Sequence, residues 1–121
     1  MSKQKYCQTF NKQIRAFFKQ ITQIYPEIKE IKSLKGKLNM ALIADETIAI
    51  KHFNTQLVQK YEKQILSQDE QFFLDFDLTG TVLADLNHLK GIYQSASPNT
   101  KLCIWKYCKV LTLLSKKYAS L

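Results

Sequence analysis

At 121 residues, with 45% hydrophobic content but only three glycines and two prolines, the chain favours long helices over a β-sandwich, which needs a turn about every ten residues. One domain of this size buries about two thirds of its unfolded surface without metal or disulfide support. The formal charge of +8 is polarised: residues 1–37 hold eight lysines and Arg15 against Glu27 and Glu30, residues 38–98 hold four lysines against eight carboxylates, and residues 99–121 hold five lysines and no acid. Such basic ends around an acidic middle suit either a polyanionic partner or internal complementarity.

The first residues, MSKQKYCQTFNKQ, lack a signal-peptide apolar core, and no stretch approaches the ~18–20 apolar residues that cross a bilayer, so an intracellular location, cytosolic or nuclear, is expected. The odd cysteine count, Cys7, Cys103 and Cys108, suggests reduced, partly buried thiols. Cys103 and Cys108 stand roughly 140° apart around a helix and are badly placed to chelate together.

The first element runs from about Lys5 to Tyr25, with Phe10, Ile14, Phe17, Phe18, Ile21 and Ile24 at offsets of 0, 4, 7, 8, 11 and 14, one face of an amphipathic helix. Lys12, Arg15 and Lys19 take its other face. Pro26 disfavours helical backbone at Tyr25, and a second helix is expected to begin at Pro26, with Glu27 and Glu30 where the helix dipole favours acids. In SLKGKLNMALIAD, Gly36 and Asn39 suggest a break, while Leu38, Leu42 and Ile43 are spaced for further helical turns. Asp45 reads as the N-cap of a helix from about Glu46 to Leu66, striped by Ile50, Phe53, Leu57, Val58, Tyr61 and Ile65. Ser67 and Glu70 match a capping box, so a new helix or a kink is expected there.

After QFFLDFDLTGT, a helix from about Val82 to Tyr93 sets Leu83, Leu86, Leu89 and Ile92 on one side. Ser97 and Pro98 then supply an N-cap and a first helical residue. The last helix has Ile104, Tyr107, Cys108, Leu111, Leu114 and Tyr118 on one face, Leu102, Trp105 and Leu113 widening the apolar arc, and Lys106, Lys109 and Lys116 in the remainder. A helix apolar over more than half its circumference is enclosed by others. The expected fold is therefore all-α: a compact bundle of about five helices around the C-terminal helix, one domain over residues 1–121. Its expected core includes Phe17, Ile21, Phe53, Val58, Tyr61, Phe72, Leu86, Trp105, Leu111 and Leu114.

Little in the chain looks like catalysis. Asp75-x-Asp77-x-Thr79 follows an apolar run and resembles the first motif of haloacid-dehalogenase-type phosphatases, in which the first Asp is a nucleophile and the second a general acid/base beside Mg²⁺. That chemistry also requires a Lys, a Ser or Thr and a distant acidic pair. Only Asp85 is acidic after Asp77, and the 44 residues that follow Asp77 (121 less 77) leave no room for the α/β sheet. The segment is read instead as an aromatic anchor followed by a solvated acidic turn. His52 and His88 have no Cys or His at ligand spacing, and no Walker loop, dinucleotide fingerprint or nucleophile elbow occurs. No catalytic residue, metal or cofactor is expected.

Two segments, HFNTQLVQKYEKQILSQDEQFFL (residues 52–74) and LADLNHLKGIYQSASPNTKLCIWKYCKVLTLLSKKY (residues 83–118), carry a family pattern. Its residues here are Phe53, Val58, Tyr61, Ile65, Asp69, Glu70, Phe72, Phe73 and Leu74, then Ile104, Trp105, Lys106, Tyr107, Leu111, Leu114 and Ser115. Together they resemble a group of small helical proteins encoded by nucleocytoplasmic large DNA viruses; Lys60, Gln68 and Cys108 depart from the pattern. The resemblance covers a little over half the chain and implies a viral origin and a helical fold, with no activity or functional residue attached.

The leading functional expectation is a non-enzymatic viral binding or assembly protein that acts through helix surfaces in the virus factory or particle, its partner a viral or host protein or a nucleic-acid phosphate backbone. The alternative is a sequence-nonspecific DNA- or RNA-binding module. It would grip phosphates with Lys3, Lys5, Lys12, Arg15 and Lys19 together with Lys101, Lys106, Lys109, Lys116 and Lys117. The scarcity of arginine argues against base-specific contacts. A third possibility, peripheral membrane association through the first amphipathic helix, competes with the simpler use of its apolar residues as core.

Overall fold

The computed structural model describes residues 2–81 and 83–121, and the described residues are helices and short connections without a strand. Helix α1 spans Lys3–Ile24, capped by Ser2, whose hydroxyl accepts from the Lys5 amide at 3.2 Å. Its in-phase residues Phe10, Ile14, Phe17, Phe18 and Ile21 are buried, whereas Ile24, at the last position, is exposed. The Ile28 amide then donates to the Tyr25 carbonyl at 3.2 Å, which puts Pro26 at the second position of a β-turn, where its fixed φ belongs. Helix α2 therefore opens at Lys29, not Pro26, and continues unbroken through Gly36 and Asn39 to Ala44. Ile31, Leu34, Leu38 and Leu42 face the core, and Ile43 lies on the opposite, solvent side.

Asp45 does not cap the next helix. Its carboxylate accepts from the Thr47 amide (3.0 Å) and hydroxyl (2.7 Å), closing a local turn, and α3 (Ile48–Phe53) begins after Thr47. A π-turn over Asn54–Val58 joins α3 to α4 (Gln59–Leu66), so the expected long helix exists with one widened turn. Leu57 and Val58 are both buried there, and Asn54 donates to the Ser115 hydroxyl at 3.0 Å. Tyr61 has non-helical backbone (φ −132°, ψ 17°) and stays half-buried.

Helix α4 ends in a Schellman motif: the Gln68 amide reaches the Ile65 carbonyl (3.2 Å), the Asp69 amide reaches the Gln64 carbonyl (2.9 Å), and Gln68 takes the left-handed conformation at φ 56°. The Ser67–Glu70 capping box is not formed. Ser67 donates back to the Gln64 carbonyl, while Glu70 accepts from Tyr93. The Asp69 carboxylate takes the Gln71 amide instead and leads into α5 (Phe72–Asp75).

Val82, the expected start of the following helix, lies outside the described residues. A 3₁₀ turn over Ala84–His88 passes into α6 (Leu89–Ser95), with Leu83, Leu86, Leu89 and Ile92 all buried. Their strict spacing of three matches the 3.0 residues per turn of a 3₁₀ helix better than the ~3.6 of an α-helix.

Helix α7 (Pro98–Ala119) closes the fold, its Thr100 amide held by the Ser97 hydroxyl at 3.2 Å. It pairs most extensively with α1 and also touches α3, the π-turn, α4 and α6, so it is the centre of the bundle. Leu102 and Leu113 do not widen its buried arc; they are 60% and 47% exposed. Phe17, Ile21, Phe53, Val58, Phe72, Leu86, Trp105 and Leu111 are buried, while Tyr61 and Leu114 are only half-buried at the core's edge.

The left-handed backbone at Gln68 places a Cβ where glycine carries none. Gln68→Gly is expected to stabilise the fold by about 1 kcal/mol, and Ser97→Ala, which removes the α7 cap, to destabilise it by about 1 kcal/mol. Urea midpoints at constant m-value check both.

Candidate interaction surface

Helices α1 and α7 run antiparallel. The Lys3 ammonium lies 4.8 Å from the Tyr118 ring centre at one end of the pair, and the Phe17 and Tyr107 rings stack at 5.0 Å further along. Neither helix contains an Asp or Glu, and between them they carry all ten basic residues singled out from the sequence: Lys3, Lys5, Lys12, Arg15 and Lys19 on α1, and Lys101, Lys106, Lys109, Lys116 and Lys117 on α7. The pairing thus brings the two basic ends of the chain onto adjacent helices.

The ten do not all share one face. Lys5, Lys12 and Lys19 recur every seven residues, are exposed, and form a stripe opposite the Phe10–Ile21 core face. Lys106, Lys109 and Lys117 are exposed on the outer side of α7, with Leu102 and Leu113 in the same stripe. Between the helices lies an open groove of about 450 Å³, lined by Gln13, Gln20, Asn99, Lys106 and Tyr107 among others and by no described carboxylate. Gln13 and Gln20 sit seven apart beside the apolar stripe, a flank position legible from spacing, but uncharged residues gave no reason to select them.

Four members are held elsewhere. Lys101 pairs with Glu70 at 3.7 Å, and Lys116 pairs with Glu62. Arg15 donates to the Asn39 side chain at 3.0 Å, and Lys3 rests on Tyr118. Among the described residues, Lys101 and Lys116 are the two of the ten that meet carboxylates, so internal complementarity claims part of the basic set and leaves the outer faces of α1 and α7 uncompensated.

The Glu70–Lys101 pair caps a chain of groups that sequence spacing did not reveal. The Trp105 indole donates to the Tyr93 oxygen at 2.8 Å, and the Tyr93 hydroxyl donates to the Glu70 carboxylate at 2.9 Å. Lys101 also lies over the Tyr93 ring, 5.0 Å from its centre. Phe73 stacks on Tyr93 at 4.1 Å and meets Trp105 edge-on at 5.0 Å. Glu70, Phe72 and Phe73 from one stretch of the chain and Trp105 from α7 therefore converge on one aromatic cluster. The Trp105 ring meets Phe72 and Phe73 of α5 and Tyr93 of α6.

The two acidic residues of the phosphatase-like segment, and Asp85 downstream of it, have separate partners. Asp75 accepts from the Gln71 and Gln64 amides, and Asp85 pairs with Lys37 at 3.1 Å. Asp77 accepts from the Thr79 hydroxyl (2.6 Å) and amide (2.9 Å), which hold its carboxyl below the ordinary range, with Asn87 assisting. This is a self-stabilised acidic turn. Among the described residues no three His, Cys, Asp or Glu side chains gather where a metal could sit. No described helix is long and apolar enough to cross a membrane, and the α1 residues that an interfacial helix would insert, Phe10 to Ile21, belong to the core.

The cysteines are free, and burial pushes the Cys108 thiol up to about 12. Cys7 is buried and donates to the Glu46 carbonyl at 3.1 Å. Compared with known proteins, the chain matches no family model, no curated sequence and no solved structure.

Iodoacetamide at neutral pH is expected to modify half-buried Cys103 slowly in the native protein, and Cys7 and Cys108 only after denaturation; peptide mass mapping distinguishes them. Burial first, and the bond to Glu70 second, raise the Tyr93 hydroxyl above its ordinary 10.0. A raised value in the folded state means that stability is fully present below pH 10.0 and is lost as pH climbs through the folded value. Tyr93→Phe deprives Trp105 of its acceptor and is expected to cost about 1–3 kcal/mol at neutral pH, with a weaker alkaline decline than the parent protein. Urea titrations at neutral and alkaline pH measure both effects.

Proposed function

We propose that the chain is a non-enzymatic viral binding protein that attaches to nucleic-acid backbones, without reading sequence, through the outer faces of α1 and α7. The observation that carries this is the union of ten basic residues on two adjacent acid-free helices. Lys5, Lys12, Lys19, Lys106, Lys109 and Lys117 are exposed there. Lysine ammonium groups contact phosphates as mobile point charges and need no fixed bidentate geometry. With Arg15 turned toward Asn39, the surface lacks the planar fork that most often reads guanine. The viral setting, in the factory or particle, is supported by the Phe53–Leu74 and Ile104–Ser115 pattern.

Fluorescence anisotropy with random duplex and single-stranded oligonucleotides tests the function. If about four phosphates are neutralised, affinity should fall about 100-fold between roughly 50 and 200 mM salt. Combining Lys12→Glu with Lys106→Glu is expected to weaken binding and flatten the salt dependence, while Lys60→Glu, on α4, leaves both nearly unchanged. Absence of binding at low salt overturns the proposal.

A further inference from the structure

The most exposed large apolar side chains among the described residues belong to one helix face: Ile43 is 85% exposed and Met40 75%. They continue a row on α2, Lys29, Lys32, Gly36, Met40 and Ile43, at offsets of 0, 3, 7, 11 and 14, on the side away from Ile31, Leu34, Leu38 and Leu42. Both flanks of the row are engaged within the molecule, one by the Arg15–Asn39 bond to α1 and the other by the Lys37–Asp85 pair to the 3₁₀ turn. At Gly36 nothing lies within 4 Å of where a Cβ would stand, so the row contains a hollow followed by two apolar projections.

The charges at its ends are also ordered. Lys29 and Lys32 lie at the N-terminal end of α2, and exposed Asp45 and Glu46 follow its C-terminus. Each pair opposes the dipole of its own helix, which favours anions at the N-terminus and cations at the C-terminus. Glu27 and Glu30 do suit the dipole, and Glu30 sits roughly 120° around the helix from Gly36, off the row.

We infer that this face is covered by the same face of a second copy, with the two α2 helices packed antiparallel about a twofold axis near Asn39 and Met40. In that register Gly36 receives Ile43 of the partner subunit, Met40 lies beside Met40 of the partner subunit, and Lys32 approaches Glu46 of the partner subunit. The antiparallel arrangement sets the basic end of each helix against the acidic end and negative dipole of the other. A parallel pair would set lysine against lysine and carboxylate against carboxylate. An isologous contact of this kind closes on itself as a dimer, and the hollow at Gly36 allows close helix approach. A single helix pair buries less than the ~1,600 Å² of a standard interface, so the dimer should dissociate across the micromolar range. It would carry two copies of the α1–α7 surface.

Sedimentation velocity on the full chain, from low micromolar to near-millimolar concentration, is expected to show a monomer–dimer equilibrium. Ile43→Glu, at a side chain that supports no core contact, should give monomer throughout with an unchanged circular dichroism spectrum. Lys32→Glu and Glu46→Lys should each weaken dimerisation on the order of tenfold, and the two together should restore it, which only juxtaposed charges achieve. A monomer at every concentration, an open-ended series of larger species, a dimer indifferent to Ile43→Glu, or a double variant no stronger than either single variant overturns the inference.

Discussion

The antiparallel contact between α1 and α7 is the constraint on which the rest of the molecule depends. It joins the two ends of the chain through Phe17 against Tyr107 and Lys3 against Tyr118, and it forces two helices without a single carboxylate to lie side by side. Apolar burial decides that contest. Burying one Phe or Ile side chain is worth about 1.5–3 kcal/mol, whereas exposed cations further apart than a Debye length of about 8 Å repel weakly at physiological salt. Phe10, Ile14, Phe17, Phe18 and Ile21 on α1, with Ile104 and Leu111 on α7, are all 2% exposed or less. The repulsion remains as a property of the surface, available to an anionic partner.

The acidic middle of the chain acts as a partial counterweight. Glu62 and Glu70 meet Lys116 and Lys101 on the α4–α5 side of α7, so the basic field is reduced there and persists on the outer side. On that same side Trp105, Tyr93 and Phe73 form the densest ring packing in the bundle, and the hydrogen-bond chain from Trp105 to Glu70 carries the buried indole N–H out to solvent. Phe72, Phe73, Tyr93 and Trp105 thus serve the architecture of one half of α7, while the proposed binding surface occupies its other half and α1.

Local distortions account for most departures from simple periodicity. A spacing of three among Leu83, Leu86 and Leu89 fits a 3₁₀ turn, a signal that an α-helical template hides. The π-turn at Asn54–Val58 cannot be read from the apolar stripe, because Ile50, Phe53, Leu57 and Val58 fit an α-helix almost equally well; the cross-helix bond from Asn54 to Ser115 accompanies the wider turn. Side chains at Asp45, Ser67 and Glu70 had the right chemistry for N-caps but found partners elsewhere: the Thr47 turn, the Gln64 carbonyl and Tyr93.

By itself, the sequence determined the helical class, the extent of α1 and α7, the cap at Ser97 and the central position of the last helix, because each follows from local propensity and from apolar spacing that repeats over many residues. It also determined which residues are basic, though not where those charges lie relative to one another. Only the tertiary structure decided that the two basic ends are neighbours, that Lys101 and Lys116 meet carboxylates while Lys12 and Lys106 face solvent, and that Met40 and Ile43 face outward. The physical reason is that helix pairing is set by the shape of two apolar faces meeting across the 73 residues of intervening chain (25–97), and surface charge merely follows where those faces go.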